Sequence, residues 1–454
     1  MLRYVKLSNY RSLKELSVDF TKGGKPKDFV LIYGENGVGK SNFVNAFETL
    51  DDIINTRSNI EHLQKMAERI IQDEKYKEYI VPDSIREQIL AEEFIDSLTI
   101  IEKNKTIGST ENMVLEYGFQ INDNNGVYRI EMDNQRIIAE RLEYMLEKNQ
   151  TIYFNITTDS LSKEQHVLKP SIFPDTTFRK DFDDLLQKYW GRHSLMSILF
   201  YELKTTNDGY VADRVNNGLL KVLQYLNVIC TKITSYSHRI GTYSTQYDVL
   251  ANIMKPSGRI KVSDEPVLDV AENLLHSFFT HLYSDIKQVY YKREKSGERS
   301  IRYSLFFKKL VYGQLLDVEF KLESSGTKNL FEILPYLLSA CDGQIVIIDE
   351  IDAGIHDLLM ETIFNSVIPD IKGQLIVTTH NTRLMESEAI KDSSIYVFNV
   401  DKDGVKELFP ITEFGRVQSN HNVRKRYLSG LYGGVPFVSE IDFEEMLAEL
   451  QPEV

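Results

Sequence analysis

The run Gly34-Glu35-Asn36-Gly37-Val38-Gly39-Lys40-Ser41 matches G-x-x-x-x-G-K-[ST] at every fixed position. The residue types have a mechanical reading. Glycines let successive backbone N–H groups wrap an anion where a Cβ would obstruct it. The Lys40 ammonium reaches the β- and γ-phosphates, the Ser41 hydroxyl ligates Mg²⁺, and Asn42 continues the helix that opens there. That helix adds the positive end of its dipole. A buried strand precedes the loop and a helix follows, which is the context the motif needs.

Two further apolar strands end in polar residues of the right kind. Ile345-Val346-Ile347-Ile348 runs into Asp349-Glu350. Alone, an Asp-Glu strand end is commonly just solvated. Coupled to a phosphate loop, Asp349 is expected to hold Mg²⁺ and Glu350 to polarise the attacking water. Gln374-Leu375-Ile376-Val377-Thr378-Thr379 ends at His380, expected to hydrogen-bond the γ-phosphate or that water. Ser324-Ser325-Gly326-Thr327 opens an apolar helix. By itself such a turn usually does no more than cap, but its place just upstream of Asp349 makes it a second preformed anion site.

These residues must be held by a sheet. Strand-like Tyr4-Val5-Lys6-Leu7 and Leu16-Ser17-Val18-Asp19-Phe20 come first, then the turn Gly23-Gly24-Lys25-Pro26 and the apolar strand Phe29-Val30-Leu31-Ile32-Tyr33. Phe43, Ala46, Phe47 and Leu50 line one face of the next helix. From about residue 51 to 105 the chain is charged and helix-periodic with a break at Pro82, which predicts helical hairpins inserted between two parts of the sheet. Alternating segments 113–121 and 127–132 flank Asn122-Asp123-Asn124-Asn125-Gly126, a hairpin signal. A less regular stretch, 149–177, precedes a second helical region with Trp190. Strand-like segments return at 301–307 and 315–320, and the last third alternates strand and helix. The division expected is 1–50, first part of a nucleotide-binding head; 51–110, helical insertion; 111–178, hairpin and irregular part; 179–291, helical lobe; 292–437, second part of the head; 438–454, acidic tail.

Composition narrows the class. The 454 residues carry a formal net charge of −14, with 42% hydrophobic and 11% aromatic residues. That supports a sizeable core and disfavours global disorder or a protein that coats nucleic acid. Two cysteines cannot frame a disulfide scaffold. No apolar run approaches the roughly 18–20 residues of a membrane span, and the first residues lack a signal core. A cytoplasmic protein without a membrane partner is expected.

The order of motifs resembles ABC-type ATPase heads of the RecF, SMC and OLD branch. The nearest likeness is to compact bacterial ATPases of abortive-infection systems, the RloA, AbiL and PARIS AriA type. It is carried by Asn9-Tyr10-Arg11-Ser12, Ser324-Ser325-Gly326-Thr327, Asp349-Glu350-Ile351-Asp352-Ala353-Gly354-Ile355-His356, Thr378-Thr379-His380-Asn381-Thr382 and Lys425-Arg426-Tyr427-Leu428-Ser429-Gly430-Leu431-Tyr432-Gly433-Gly434-Val435-Pro436. It covers both ends of the chain and the hairpin near Met113, not the two helical regions. The resemblance implies an α/β fold: a P-loop head whose mixed sheet has an antiparallel N-terminal part, with inserted helical regions. It implies ATP and Mg²⁺ as cofactors and two heads meeting head-to-tail, as a dimer or multiples of it. Lys40, Ser41, Asp349, Glu350 and His380 then act from one subunit, and Ser325 and Gly326, within Ser324 to Thr327, from the other. Arg11 falls where related repair ATPases place an arginine near the nucleotide, or else on solvent. Gln120 is a candidate for the glutamine that reaches Mg²⁺. The signature reads S-S-G-T-K, not S-G-G-Q as in transporters.

Three functional classes follow. The sequence has no long heptad arms, membrane span or second catalytic constellation, and only a short stretch follows Pro436, where OLD nucleases carry a metal-binding domain. The favoured expectation is an ATPase sensor-regulator of anti-phage defence that holds or releases a separate toxic effector, a nuclease encoded nearby, in response to a phage trigger protein. The alternative is a RecF-like repair ATPase that binds DNA directly. It draws on Lys292, Arg293, Lys295, Arg299, Arg302, Lys308 and Lys309 against Glu294 and Glu298, interleaved with Tyr290, Tyr291, Tyr303, Phe306 and Phe307. A scaffold without turnover is disfavoured by Glu350. The tail 440–454, acidic without a basic residue, is a solvated tail or a docking helix lined by Phe443, Leu447 and Leu450.

Overall fold

The computed structural model describes residues 1–72, 96–146, 149–158, 164–206, 209–233, 255–297, 299–402, 404–414, 422–435 and 441–449. The predicted break at Pro82, Glu298 of the basic cluster, Pro436 and Leu450 lie outside these residues.

The chain opens with β1 (Leu2–Tyr10) and β2 (Leu13–Asp19), an antiparallel pair, then the short β3 (Thr21–Lys22) and β4 (Lys25–Pro26). β5 (Phe29–Tyr33) is buried along its whole length and runs into the glycine loop. The helix after it, α1 (Lys40–Gln72), runs for 33 residues and crosses the division expected at residue 50 without a break. Its apolar stripe extends through Ile53 and Ile54, both buried, so nothing in the packing ends it at the head's edge. α2 (Ser97–Asn104) returns the chain to the head.

β6 (Met113–Ile121) and β7 (Asn124–Met132) form the predicted hairpin. Its two-residue turn, Asn122 and Asp123 at φ 49° and 64°, has the left-handed backbone that matches strand twist. β8 (Ile137–Leu146) follows. The stretch expected to be irregular holds β9 (Asn149–Thr158) and the edge strand β10 (Glu164–Leu168), whose half-exposed faces blur the alternation. Seven strands thus form one antiparallel sheet in the order β10-β9-β8-β7-β6-β1-β2.

The second helical region is only partly helical. α3 (Thr176–Tyr189), α4 (Leu195–Thr205) and α5 (Asn217–Asn227) pack on the antiparallel sheet and α1. Then β11 (Cys230–Lys232) enters the central sheet, too short for any periodicity to announce. β12 (Ser257–Lys261), α6 (Glu265–Leu282), β13 (Ile286–Lys295), β14 (Ser300–Val311) and β15 (Gln314–Glu319) make a four-stranded sheet with a helix on one face.

The remainder is α7 (Ser325–Cys341), β16 (Ile345–Ile348), α8 (Asp357–Val367), β17 (Gln374–Thr378), β18 (Ile395–Val400), β19 (Lys406–Pro410), α9 (Val423–Leu428) and α10 (Phe443–Glu449). The central sheet runs β11-β16-β17-β5-β18-β19, parallel except for the β18–β19 pair. It is covered on both faces. Val30, Ile32, Ile345 and Ile347 join the core shared with the antiparallel sheet, and Leu31, Tyr33, Val346 and Ile348 join a second core under α6, α7 and α8. Burial on two faces is why these strands read as unbroken apolar runs. The fold is the α/β head with an antiparallel N-terminal part and added helical regions.

Candidate functional site

In an open parallel sheet, ligands bind beyond the carboxyl ends of the strands. Three of those ends converge here. β5 leads into Gly34, β16 into Asp349-Glu350 and β17 into Thr379-His380. β17 lies between the other two, so His380 is set between the glycine loop and the carboxylates.

The loop has the backbone its glycines predict. Gly37 and Gly39 take φ 76° and 123°, and a Cβ on Gly34 would stand 2.7 Å from Phe398 Cβ. Gly34, Val38 and Gly39 are buried, Glu35 half-buried, Asn36 and Gly37 exposed. The Lys40 ammonium is buried and donates to the carbonyls of Gly34 at 2.8 Å and Glu35 at 2.9 Å. Burial lowers its pKa, and Asp349, Glu350, Asp352 and Glu35 oppose that shift. Ser41 and Asn42 are half-buried, and the Asn42 amide donates to Ser12 Oγ at 2.6 Å.

Register sets the carboxylates. Ile348 faces Val377 across the β16–β17 pair, so the next residues, Asp349 and Thr378, are neighbours. Asp349 is 1% exposed. Its Oδ1 accepts from Thr378 Oγ1 at 2.6 Å, and its N–H donates to the Lys232 carbonyl at 2.8 Å. Glu350 is half-buried and takes φ 48°, a left-handed backbone uncommon for a residue with a side chain. Strain of this kind persists only where neighbours enforce it. His380 is exposed at the strand end. Surrounding protein and then the Lys40 ammonium lower its pKa, against Asp352, Glu350 and Asp349, which brings all five groups into one electrostatic neighbourhood.

The signature turn caps α7: Ser324 Oγ accepts from Thr327 N at 3.2 Å. Ser324 and Ser325 are exposed while Gly326 and Thr327 are buried. Gly326 lies against the loop after the carboxylates, and a Cβ there would fall 2.2 Å from the Gly354 carbonyl oxygen. Asn329 spans the same gap. Its amide donates to the Ala353 carbonyl at 2.8 Å and its Oδ1 accepts from Lys232 Nζ at 3.0 Å.

One candidate falls elsewhere, and another lies near the loop with its side chain engaged by Asn104. Gln120 is at the wrong end of the sheet. Its N–H donates to the Met1 carbonyl, the next residue Leu2 is held by the Gln374 side chain, and Gln374 begins β17, whose far end leads into His380. The five residues of that strand put about 16 Å between its ends. Its side chain donates instead to Asn125 Oδ1 at 3.1 Å, so Gln120 is not a ligand for Mg²⁺. Arg11 lies in the turn beside the glycine loop at φ 49°, but its Nε donates to Asn104 Oδ1 at 2.8 Å. Its neighbour Ser12 touches the loop, accepting from both Asn42 and Lys406.

Sequence reasoning missed three parts of the site. Thr378 stands inside the strand motif that ends at His380, where the histidine alone carries a sequence signal. Lys232 rides on the strand hidden in a helical region. The Gly433–Gly434 turn, at φ 69° and 68°, closes on the glycine loop: a Cβ on Gly434 would be 3.5 Å from Gly34 Cα. Tyr427 holds this turn through the Gly434 carbonyl at 2.7 Å. Burial, with Glu35 adding, pushes the Tyr427 phenol up to about 12. Paired glycines in a quoted tail motif were the available signal.

Three of the seven basic residues of the cluster stand near carboxylates, while Lys295, Arg299 and Arg302 are exposed. Arg293 meets Glu265, Asp269 and Glu272, Lys309 meets Asp285 and Glu323, and Lys292 stands 3.7 Å from Glu294. In α10, Phe443 and Leu447 are exposed. Among the described residues no helix is long and apolar enough to cross a membrane. No group of three or more His, Cys, Asp and Glu side chains among them could hold a metal. The Mg²⁺ that such a loop implies fits Ser41 and Asp349, hard oxygen donors that leave other positions to phosphate and water.

A family model described as "AAA domain, putative AbiEii toxin, Type IV TA system" matches residues 231–386. No curated protein matches the chain. Solved structures that superpose on it include an SMC head bound to the C-terminal winged-helix domain of ScpA, with TM-score 0.41 and 15% identity over 91% of this chain and 98% of that one. An SMC head domain from Thermotoga maritima gives TM-score 0.35 and 15% identity over 90% and 98%. An SMC head domain with extended coiled coil, bound to the C-terminal domain of ScpA from Pyrococcus furiosus, gives 0.35 and 13% over 90% and 96%.

Proposed function

We propose that the chain is a Mg²⁺-dependent ATPase of ABC type that works as a nucleotide-controlled switch in anti-phage defence, holding or releasing a separate toxic effector. The observation that carries the enzymatic part is the convergence of Lys40, Asp349, Glu350 and His380 at three adjacent strand ends. Lys40 and the loop N–H groups bind the β- and γ-phosphates. Ser41 and Asp349 hold Mg²⁺, which supplies charge neutralisation of the phosphates when bound. Glu350 takes the proton of the attacking water, and His380 orients that water or the γ-phosphate. The exposed Ser325 hydroxyl and the α7 N-terminus complete the site of a second copy. ATP therefore stabilises a head-to-tail pair, and hydrolysis removes the γ-phosphate contacts that hold it.

The defence role is supported by the motif order and by the partial match to a toxin–antitoxin AAA model. Ion pairs take Arg293 and Lys309 out of the basic cluster on which direct DNA binding would draw, and the remaining basic residues of that cluster carry the alternative reading.

Lys40→Ala should weaken ATP binding at least about tenfold, and Glu350→Gln should keep binding while turnover falls on the order of a hundredfold or more. Equilibrium binding of labelled ATP and phosphate release check both. If both variants hydrolyse ATP like wild type, the site assignment is wrong. For the effector, the complex purified from cells carrying the native gene neighbours should contain a stoichiometric nuclease-like partner. A partner-free protein retaining DNA would overturn that half of the reading.

A further inference from the structure

We infer that Thr378 is a positioning residue for the hydrolytic centre, setting the metal carboxylate and the catalytic glutamate through one hydroxyl. The inference rests on the ATPase reading above and deepens it.

Thr378 is completely buried at the end of β17. Its hydroxyl makes two bonds of opposite sense. Oγ1 donates its single proton to Asp349 Oδ1 at 2.6 Å and accepts the Glu350 N–H at 2.8 Å. Its backbone carbonyl then accepts the Ile351 N–H at 3.1 Å. Asp349, Glu350 and Ile351 are therefore fixed in succession by one residue of the adjacent strand, while the Lys232 carbonyl holds Asp349 N–H from the other side.

The polarity leaves no slack. A hydroxyl with its proton directed at a carboxylate offers a lone pair to the N–H and can serve both partners in one orientation. The Glu350 N–H belongs to the peptide plane that follows Asp349, and the Thr378 hydroxyl holds that plane. The φ of 48° then turns the Glu350 side chain and the following residue out of the line of the strand. The hydroxyl thus fixes the peptide from which the left-handed turn departs, and together they decide where the Glu350 carboxylate leaves the strand and how the Asp349 carboxylate is oriented.

Valine copies the shape of threonine and removes both hydrogen bonds, whereas serine keeps them and drops a methyl. Removal of a partner of a metal ligand typically costs about 10–100-fold in metal affinity or activity. With Mn²⁺ as the probe, read by its electron paramagnetic resonance on protein loaded with a non-hydrolysable ATP analogue, Thr378→Val should bind Mn²⁺ at least about tenfold more weakly. Turnover should fall by a similar factor, with the Mg²⁺ dependence moved to higher concentration. Analogue binding without divalent cation should stay within about twofold, because the hydroxyl that valine removes bonds Asp349 and Glu350 and not the phosphate loop. Thr378→Ser should restore Mn²⁺ affinity and turnover to within about threefold.

A Thr378→Val chain with wild-type Mn²⁺ affinity and Mg²⁺ dependence overturns the inference, as does a serine variant no better than valine. If the valine variant does not fold, Thr378→Cys, similar in size with a feeble donor, replaces it in the comparison with serine. A wild-type chain lacking divalent-dependent turnover would instead remove the ATPase reading, and this inference with it.

Discussion

Gly326 shows what a signature glycine does within its own chain. It stands in the first turn of α7, where the gap to the Gly354 carbonyl leaves no room for a methyl group: an added Cβ would lie 2.2 Å from that oxygen. The obstacle is backbone and belongs to the loop that follows Asp349 and Glu350, so relief means moving the helix start or that loop. Gly326→Ala should therefore cost about 1–3 kcal/mol of folding stability, the usual range for overpacking. Ser325→Ala, one residue away with an exposed side chain, should change stability by less than about 0.5 kcal/mol. Urea unfolding of the two variants checks this, and equal midpoints would show that the helix start yields freely. The close approach also means that Ser325 cannot shift without the Asp349–Gly354 loop feeling it.

At the scale of elements, the phosphate helix is tied to the helical lobe by buried polar groups. Thr56 Oγ1 bonds Ser197 Oγ at 2.9 Å and contacts His193 Nδ1 at 3.1 Å, while Ser194 Oγ donates to the Ile53 carbonyl at 3.2 Å. Arg57 lies between the rings of Tyr189 and Tyr201 and pairs with Glu202. Glu140 on β8 accepts from Trp190 Nε1, Tyr128 Oη and Leu195 N at 2.9, 3.0 and 2.7 Å. Burial, then the Arg192 and Arg57 charges, lower His193 from 6.5 to about 4, with Asp96 opposing. The unfolded chain therefore takes up the His193 proton first, so stability is full above pH 6.5 and falls as pH drops toward 4. Between pH 7 and pH 5 the loss is about 2 kcal/mol. Burial raises the pKa of Glu140, which works in the opposite sense, so the His193 share is read as the difference from His193→Gln. Thermal melting at both pH values should give a smaller acid loss in the variant, and parallel shifts would refute the assignment. None of this tie was legible in the sequence. Glu140, His193 and Arg57 look like surface residues until partners far along the chain surround them. The phosphate loop and the Asp349 and His380 strands were legible because fixed spacing within one segment carries their chemistry. β11 was not, since three residues in a helical stretch have no period, and Gln120 misled because strand sequence does not say which end of a sheet it reaches.

At the scale of the whole molecule, charge decides how two copies meet. Each chain carries a formal −14, so identical copies repel at a distance. ATP-bridged contacts must act against that repulsion, which salt screens beyond roughly 8–10 Å at moderate ionic strength. Nucleic-acid binding has the opposite dependence, because salt removes the gain from releasing counterions. The two readings of the chain thus predict slopes of opposite sign. Glu350→Gln with ATP and Mg²⁺ should form dimers, or multiples of them, that tighten as salt rises from about 50 to 300 mM. If Ser325 serves the site of the other copy, as proposed, Ser325→Arg in that background should keep ATP binding yet remain monomeric, because a long charged side chain occupies the contact. Mass photometry across the salt series measures both. An assembly that dissociates with rising salt, or a Ser325→Arg chain that still pairs, would place the ATP-dependent contact on some other surface than the exposed start of α7.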